Sequence, residues 1–195
     1  MPSESPSRQR SPQAAQAPAP CAGDFPPGWR NPKPRGAYHL LVIGAGPAGL
    51  VAARAATALG ARVALIERHR LGGDCLNHGC VPSKTMLRSA RLYAEMRSAA
   101  YFGVAPPAEI RVDFGAVMNR VRRIRERIGR VDSAARLIAE GIDLYFGTAR
   151  FTGHDGIDVD GVRLRFRKAL IATGSRSMLP QIPGLAEAGF LTNET

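Results

Sequence analysis

The chain has 195 residues, 45% of them hydrophobic, which suits one domain with its own core. No apolar run approaches the ~20 residues that span a bilayer, and three cysteines are too few for a disulfide-stapled scaffold. The 27 basic and 16 acidic side chains leave a net charge of +11, nearly all arginine, which suits a phosphate-bearing or nucleic-acid partner without choosing between them.

Residues 1–36 are rich in Pro, Ser, Gln and Ala and have little to bury, so they read as a disordered tail. Trp29 in PPGWRNPKP is expected to pin the tail's end onto the domain. The tail has no apolar signal-peptide centre and fits a transit peptide only in part; a cytoplasmic location is expected. From Tyr38, YHLLVI reads as a buried strand, followed by GAGPAG and a helix of small residues ending at Gly60. RVALIE is a second buried strand, completing a βαβ unit. A Gly- and Cys-rich turn follows, then a helix from about Val81 to Ala100.

Val117, Val121, Ile124, Ile128, Val131, Ala135 and Ile138 alternate in four- and three-residue steps, the pattern of one long helix with a heptad-like seam. Asp113 is its predicted N-cap, and Arg120, Arg122, Arg123, Arg125, Arg127 and Arg130 fill the outer face. That basic face reads as the solvated side of an amphipathic helix, so no nucleic-acid partner is expected, although the seam could also meet a second subunit. IDLYFG, ARFTG, GIDVDG and VRLRF are short strands separated by Gly or Asp-Gly turns, and KALIATG is a last buried strand. Residues 37–180 are thus predicted to form an α/β, Rossmann-like domain. Its parts are a parallel sheet, a long helical excursion and a small antiparallel meander.

Gly44, Gly46 and Gly49 form GxGxxG between the first strand and its helix. The first permits the tight turn, the second a pyrophosphate's approach, and the third close packing of helix on strand. The helix N-terminus offers free N–H groups and partial positive charge to phosphates. Glu67, eighteen residues past Gly49, ends the second strand, where a carboxylate accepts ribose hydroxyls and repels a 2′-phosphate. The fingerprint does not separate FAD from NAD.

In GGDCLNHGCVPSK, four residues separate Cys75 from Cys80, a spacing that a short loop can close to bonding range. Cys80 stands just before Val81-Pro82 at a predicted helix start, where the dipole favours a thiolate. A redox pair is the leading reading. Metal ligation would need more ligands than His78 alone, and an inert pair is the third alternative.

That motif, directly after the fingerprint and Glu67, resembles the flavin-dependent pyridine nucleotide–disulfide oxidoreductases. The resemblance runs from about Trp29 to Thr195. PPGWRNPKP and GGDCLNHGCVPSKTMLRSAR are most similar to the mercuric-reductase-like branch. It implies FAD with its pyrophosphate along Gly44, Gly46, Pro47, Ala48 and Gly49, its ribose at Glu67, and its adenine near Gly147. Gly73 and Asp74 would line the same cofactor, and Ala172, Thr173, Gly174 and Ser175 would form a second contacting turn. Cys80 would be the flavin-side thiol, Cys75 the interchange thiol that meets substrate, and Lys84 would sit near the reactive edge of the flavin.

Electrons would pass from NAD(P)H through flavin to the disulfide, and on to Hg(II), lipoamide or another small substrate. The family is homodimeric through a later domain, and 181–195 is expected to lead toward an NAD(P)H domain. A fragment is therefore expected, with a split enzyme or a non-catalytic flavin-binding remnant as alternatives. Two residues depart from the common pattern. Asp74 replaces a threonine, and His78 a small apolar residue, either idly or to tune the neighbouring thiol.

Overall fold

The computed structural model describes residues 26–194. The tail expectation over 1–25 lies outside them. The segment 26–36 has no helix or strand, yet it is already fixed to the fold. Trp29 stacks edge-on against Phe146 with ring centroids 5.2 Å apart. Asn31 both donates to the Phe146 carbonyl (2.8 Å) and accepts from its amide (2.8 Å).

Six strands form one sheet in the order β3-β2-β1-β6-β5-β4. β1 (Tyr38–Ile43), β2 (Val63–Glu67) and β3 (Asp143–Phe146) are parallel neighbours. β4 (Ala149–Phe151) and β5 (Gly156–Val159) are antiparallel. β6 (Val162–Ile171) belongs to both parts. Its first residues pair antiparallel with β5, and from Phe166 to Ile171 it runs parallel to β1. VRLRF and KALIATG are therefore one strand, not two, because nothing between them breaks the extended backbone.

At β1, β2 and β3 the sheet is buried, which is why β1 and β2 are apolar without alternation. The end of β6, expected from KALIATG to be a buried strand, is instead exposed from Arg167 to Ile171. Val42, Val63, Leu65 and Leu144 face a cluster completed by Leu50 and Ala53 of α1 (Pro47–Ala58) and Leu137 of α5 (Ala134–Ala139). Leu41, Ala64 and Ile66 face the opposite cluster, where Ile157, Val159 and Leu164 of the meander cover them. Replacing one of these leucines by alanine costs ~2–5 kcal/mol.

The predicted cysteine turn contains a short helix, α2 (Gly73–Asn77). α3 (Cys80–Arg97) then gives way to a 3-10 turn over Ala99–Phe102 instead of running on to Ala100. The single long helix over 117–138 is two helices, α4 (Phe114–Gly129) and α5. Asp113 caps α4, accepting from the Ala116 amide at 3.0 Å. The break follows Gly129, and Ser133 caps α5.

Arg54 of α1 holds that break from below. It donates to Asp132 (2.8 Å), Glu140 (2.8 Å) and the Val131 carbonyl (2.6 Å). The break also rotates the buried face: Ala134 and Leu137 go to the core, while Ile138 of the predicted seam is 46% exposed. A short last helix, α6, spans Leu185–Ala188. Among the described residues no helix is long and apolar enough to cross a membrane.

Candidate redox and dinucleotide site

The C-terminal ends of β1, β2 and β6 converge, and with them the loops that hold the candidate site residues. This is the end at which open α/β sheets bind ligands. Gly44 leaves β1 with φ +104°, its amide donating to the Ile66 carbonyl (2.7 Å). A side chain on Gly44 would collide with the Ala172 carbonyl, and one on Gly49 with the Gly44 carbonyl. Both glycines are thus required by the protein's own packing.

Gly46 is different. Its φ of −75° suits any residue, and a Cβ there would meet nothing closer than the Gly73 Cα at 3.9 Å. Its missing side chain leaves open space at the start of α1, where Pro47 and Ala48 are exposed and no side chain caps the first turn. That cradle of unfilled space and uncapped amides fits a pyrophosphate.

Glu67 is 8% exposed, and both its oxygens are engaged. Oε2 accepts from the Ala45 amide (2.7 Å) and Oε1 from the His69 amide (2.7 Å). Each oxygen keeps a second lone pair, so the carboxylate both ties the glycine loop to β2 and remains able to accept hydroxyls. Gly147 follows β3 beside it, donating to the Glu67 carbonyl at 2.9 Å. Its φ of +145° and the Asp160 carboxylate over its Cα both demand glycine.

Gly72 and Gly73 both adopt positive φ and carry the chain from β2 onto the glycine loop. The Gly72 amide donates to the Ala45 carbonyl (2.9 Å). Asn77, between the two cysteines, is buried and donates to the Gly73 (2.8 Å) and Leu71 (3.2 Å) carbonyls.

The Asp74 carbonyl accepts from His78 (2.8 Å) and Gly79 (2.7 Å), folding the loop back so that Cys80 starts α3 beside Cys75. Both thiols are free, Cys75 half-buried and Cys80 exposed. Burial pushes the Cys75 thiol up from its ordinary value, its hydrogen bond with Cys80 adds to that, and the Lys84 charge opposes it. Cys80 and Lys84 are one turn apart on α3, both open to solvent. Ala172, which donates to the Ile43 carbonyl (2.8 Å), lies over Gly44, and Thr173, Gly174 and Ser175 continue from it as an exposed segment without helix, strand or turn. Among the described residues no cluster of three or more His, Cys, Asp or Glu side chains is arranged to hold a metal ion.

The family profile of pyridine nucleotide-disulphide oxidoreductases matches residues 38–195. The chain belongs to that family. Its members are oxidoreductases that use FAD and NAD(P)H. A dihydrolipoyl dehydrogenase from Acholeplasma laidlawii is 36% identical over 152 residues, covering 77% of this chain and 45% of that protein. A mercuric reductase from Lysinibacillus sphaericus is 36% identical over 159 residues, covering 81% of this chain and 29% of that protein. Among solved structures, the HOCl-induced flavoprotein disulfide reductase RclA from Escherichia coli aligns with TM-score 0.61 and 28% identity over 76% of this chain and 31% of that one. The chain thus spans less than half the length of these relatives.

Proposed function

We propose that this chain is the FAD-binding, disulfide-bearing part of a pyridine nucleotide–disulfide oxidoreductase of mercuric-reductase-like type. The observation that carries the reading is the meeting of two loops: the Cys75–Cys80 loop is built directly onto the glycine loop at Gly73 and Gly46. A group bound by its phosphates in the cradle would lie beside the thiols.

In this reading the amides of Ala48 and Gly49 hold the pyrophosphate, with Gly44 and Pro47 shaping the turn. Glu67 accepts the ribose hydroxyls, Gly147 leaves room for the adenine, and Gly73, Asp74 and the Ala172–Ser175 segment flank the remainder. When bound, FAD supplies the two-electron link between a reduced nicotinamide and the disulfide. Cys80, the exposed thiol at the start of α3, faces that cofactor beside Lys84, whose ammonium stabilises negative charge there. Cys75 exchanges with a small disulfide substrate: its thiolate attacks one substrate sulfur, breaking the substrate S–S bond, forming a mixed disulfide and expelling one substrate thiolate. The Cys80 thiolate then attacks the Cys75 sulfur, forming the Cys75–Cys80 bond and expelling the second substrate thiolate, so the two cysteines give up the two electrons the substrate takes. The substrate class is Hg(II) or a small disulfide.

Spectroscopy on the flavin-loaded protein tests this. Reduction should bring up a long-wavelength absorbance band that Cys80→Ser abolishes and Cys75→Ser retains. A band that survives Cys80→Ser, or a chain that takes up no flavin, would overturn the assignment.

A further inference from the structure

We propose that Asn193 is a positioning residue for the Cys75–Cys80 pair, acting through Asp74; this rests on the redox reading of the two cysteines. Asn193 lies far along the chain, beyond α6, yet its side-chain amide donates to the Asp74 Oδ1 at 2.8 Å. Its own oxygen accepts from the Ser177 hydroxyl at 2.9 Å, so both ends of the amide are used. The next residue, Glu194, pairs with Arg176 at 2.6 Å. These contacts lay the chain's last described residues across the redox loop and the segment that leaves β6. A small polar pocket of about 210 Å³, open to solvent, lies between Asp74, Ser175, Arg176, Ser177, Asn193 and Glu194.

Asp74 is the residue through which such a contact reaches the thiols. It immediately precedes Cys75, and its carbonyl takes the two amides that close the loop. The other carboxylate oxygen lies against Gly79, where a Cβ would stand 3.0 Å from Oδ2. Gly79 immediately precedes Cys80. Thus one carboxylate touches the residue before the second cysteine while Asn193 fixes its other oxygen. With Asn193 gone, the exposed Asp74 carboxylate is left to water alone and the loop loses that tether. The disulfide depends on both sulfurs being held together, so a looser loop favours the dithiol.

The test is the equilibrium of the full 195-residue chain with glutathione. Two thiols lose two protons and two electrons to oxidised glutathione, which leaves as two glutathione thiols, and alkylation with mass spectrometry counts both forms. Asn193→Ala and Asn193→Asp should each lower the disulfide-to-dithiol ratio by about threefold or more, about 14 mV for a two-electron couple. The exchanged pair, Asp74→Asn with Asn193→Asp, restores a donor facing a carboxylate and should recover most of the loss. Glu194→Gln should leave the ratio unchanged. An unchanged ratio in both Asn193 variants, or an exchanged pair no better than Asn193→Asp alone, would overturn the role of Asn193. A parent chain that forms no Cys75–Cys80 disulfide would instead overturn the redox reading, and this inference with it.

Discussion

Gly73 rests its backbone on that of Gly46: a Cβ added to Gly73 would stand 2.7 Å from the Gly46 Cα. Gly73 also holds φ +55°, a conformation that suits glycine best. Through this one contact the residue that opens the cysteine loop bears on the residue that opens the phosphate cradle. Gly73→Ala should therefore cost more than ~1 kcal/mol in a urea melt and loosen the disulfide as well. A variant with parental stability would show that the two loops are not locked together.

The glycines of the fingerprint should separate by experiment. Gly46→Ala meets only ordinary contact at 3.9 Å and should melt with the parent. Gly46→Val should still fold but lose flavin affinity about tenfold or more, ~1.4 kcal/mol, because its side chain fills the cradle. Gly49→Ala, by contrast, should lose the fold, since its Cβ would occupy the place of the Gly44 carbonyl. Isothermal titration with FAD alongside thermal melts distinguishes the two kinds of glycine.

Alkylation kinetics report on Cys75. Burial raises its pKa, and the nearby Lys84 works in the opposite direction. Its iodoacetamide reaction should therefore rise at higher pH than that of a free cysteine, near 8.5. Lys84→Met removes the opposing charge and should move the profile higher still. A profile that shifts downward in Lys84→Met would refute the electrostatic assignment.

The clamp on the α4–α5 break predicts an acid sensitivity. Hydrogen bonding from Arg54, and then from Arg136, holds the Glu140 carboxyl below its ordinary range. A folded-state value lower than the unfolded one adds stability above the unfolded pKa, near 4.3, and that stability is lost as pH falls through the lowered value. The Arg54 side chain is 29% exposed, so solvent screens part of the interaction. Arg54→Ala should cost ~1–2 kcal/mol at pH 7, with the difference from the parent shrinking as the acid limb is descended in chemical denaturation.

Much of the architecture was legible along the chain. The βαβ unit, the meander and the Asp113 cap follow from short-range rules: apolar runs for buried strands, Asp-Gly turns, a carboxylate before a helix. The helix over 117–138 was not legible as two, because its apolar steps continue unbroken through Arg130–Ser133. Arg54, on a helix that closes far earlier in the sequence, supplies the partners that make the break favourable, and no local pattern announces it.

The sequence by itself singled out the candidate residues: three glycines, an acid at the end of a strand, and two cysteines at a loop-closing spacing. Their residue types and intervals are local properties. Only the tertiary structure decided how they bear on one another. Parallel pairing of β1 with both β2 and β6 delivers their loops to one end of the sheet, and that alone sets Gly73 on Gly46 and Ala172 over Gly44. It also brings Asn193 to Asp74, 119 positions away. Contacts between residues so far apart depend on strand order and register, which a chain's spacing does not encode.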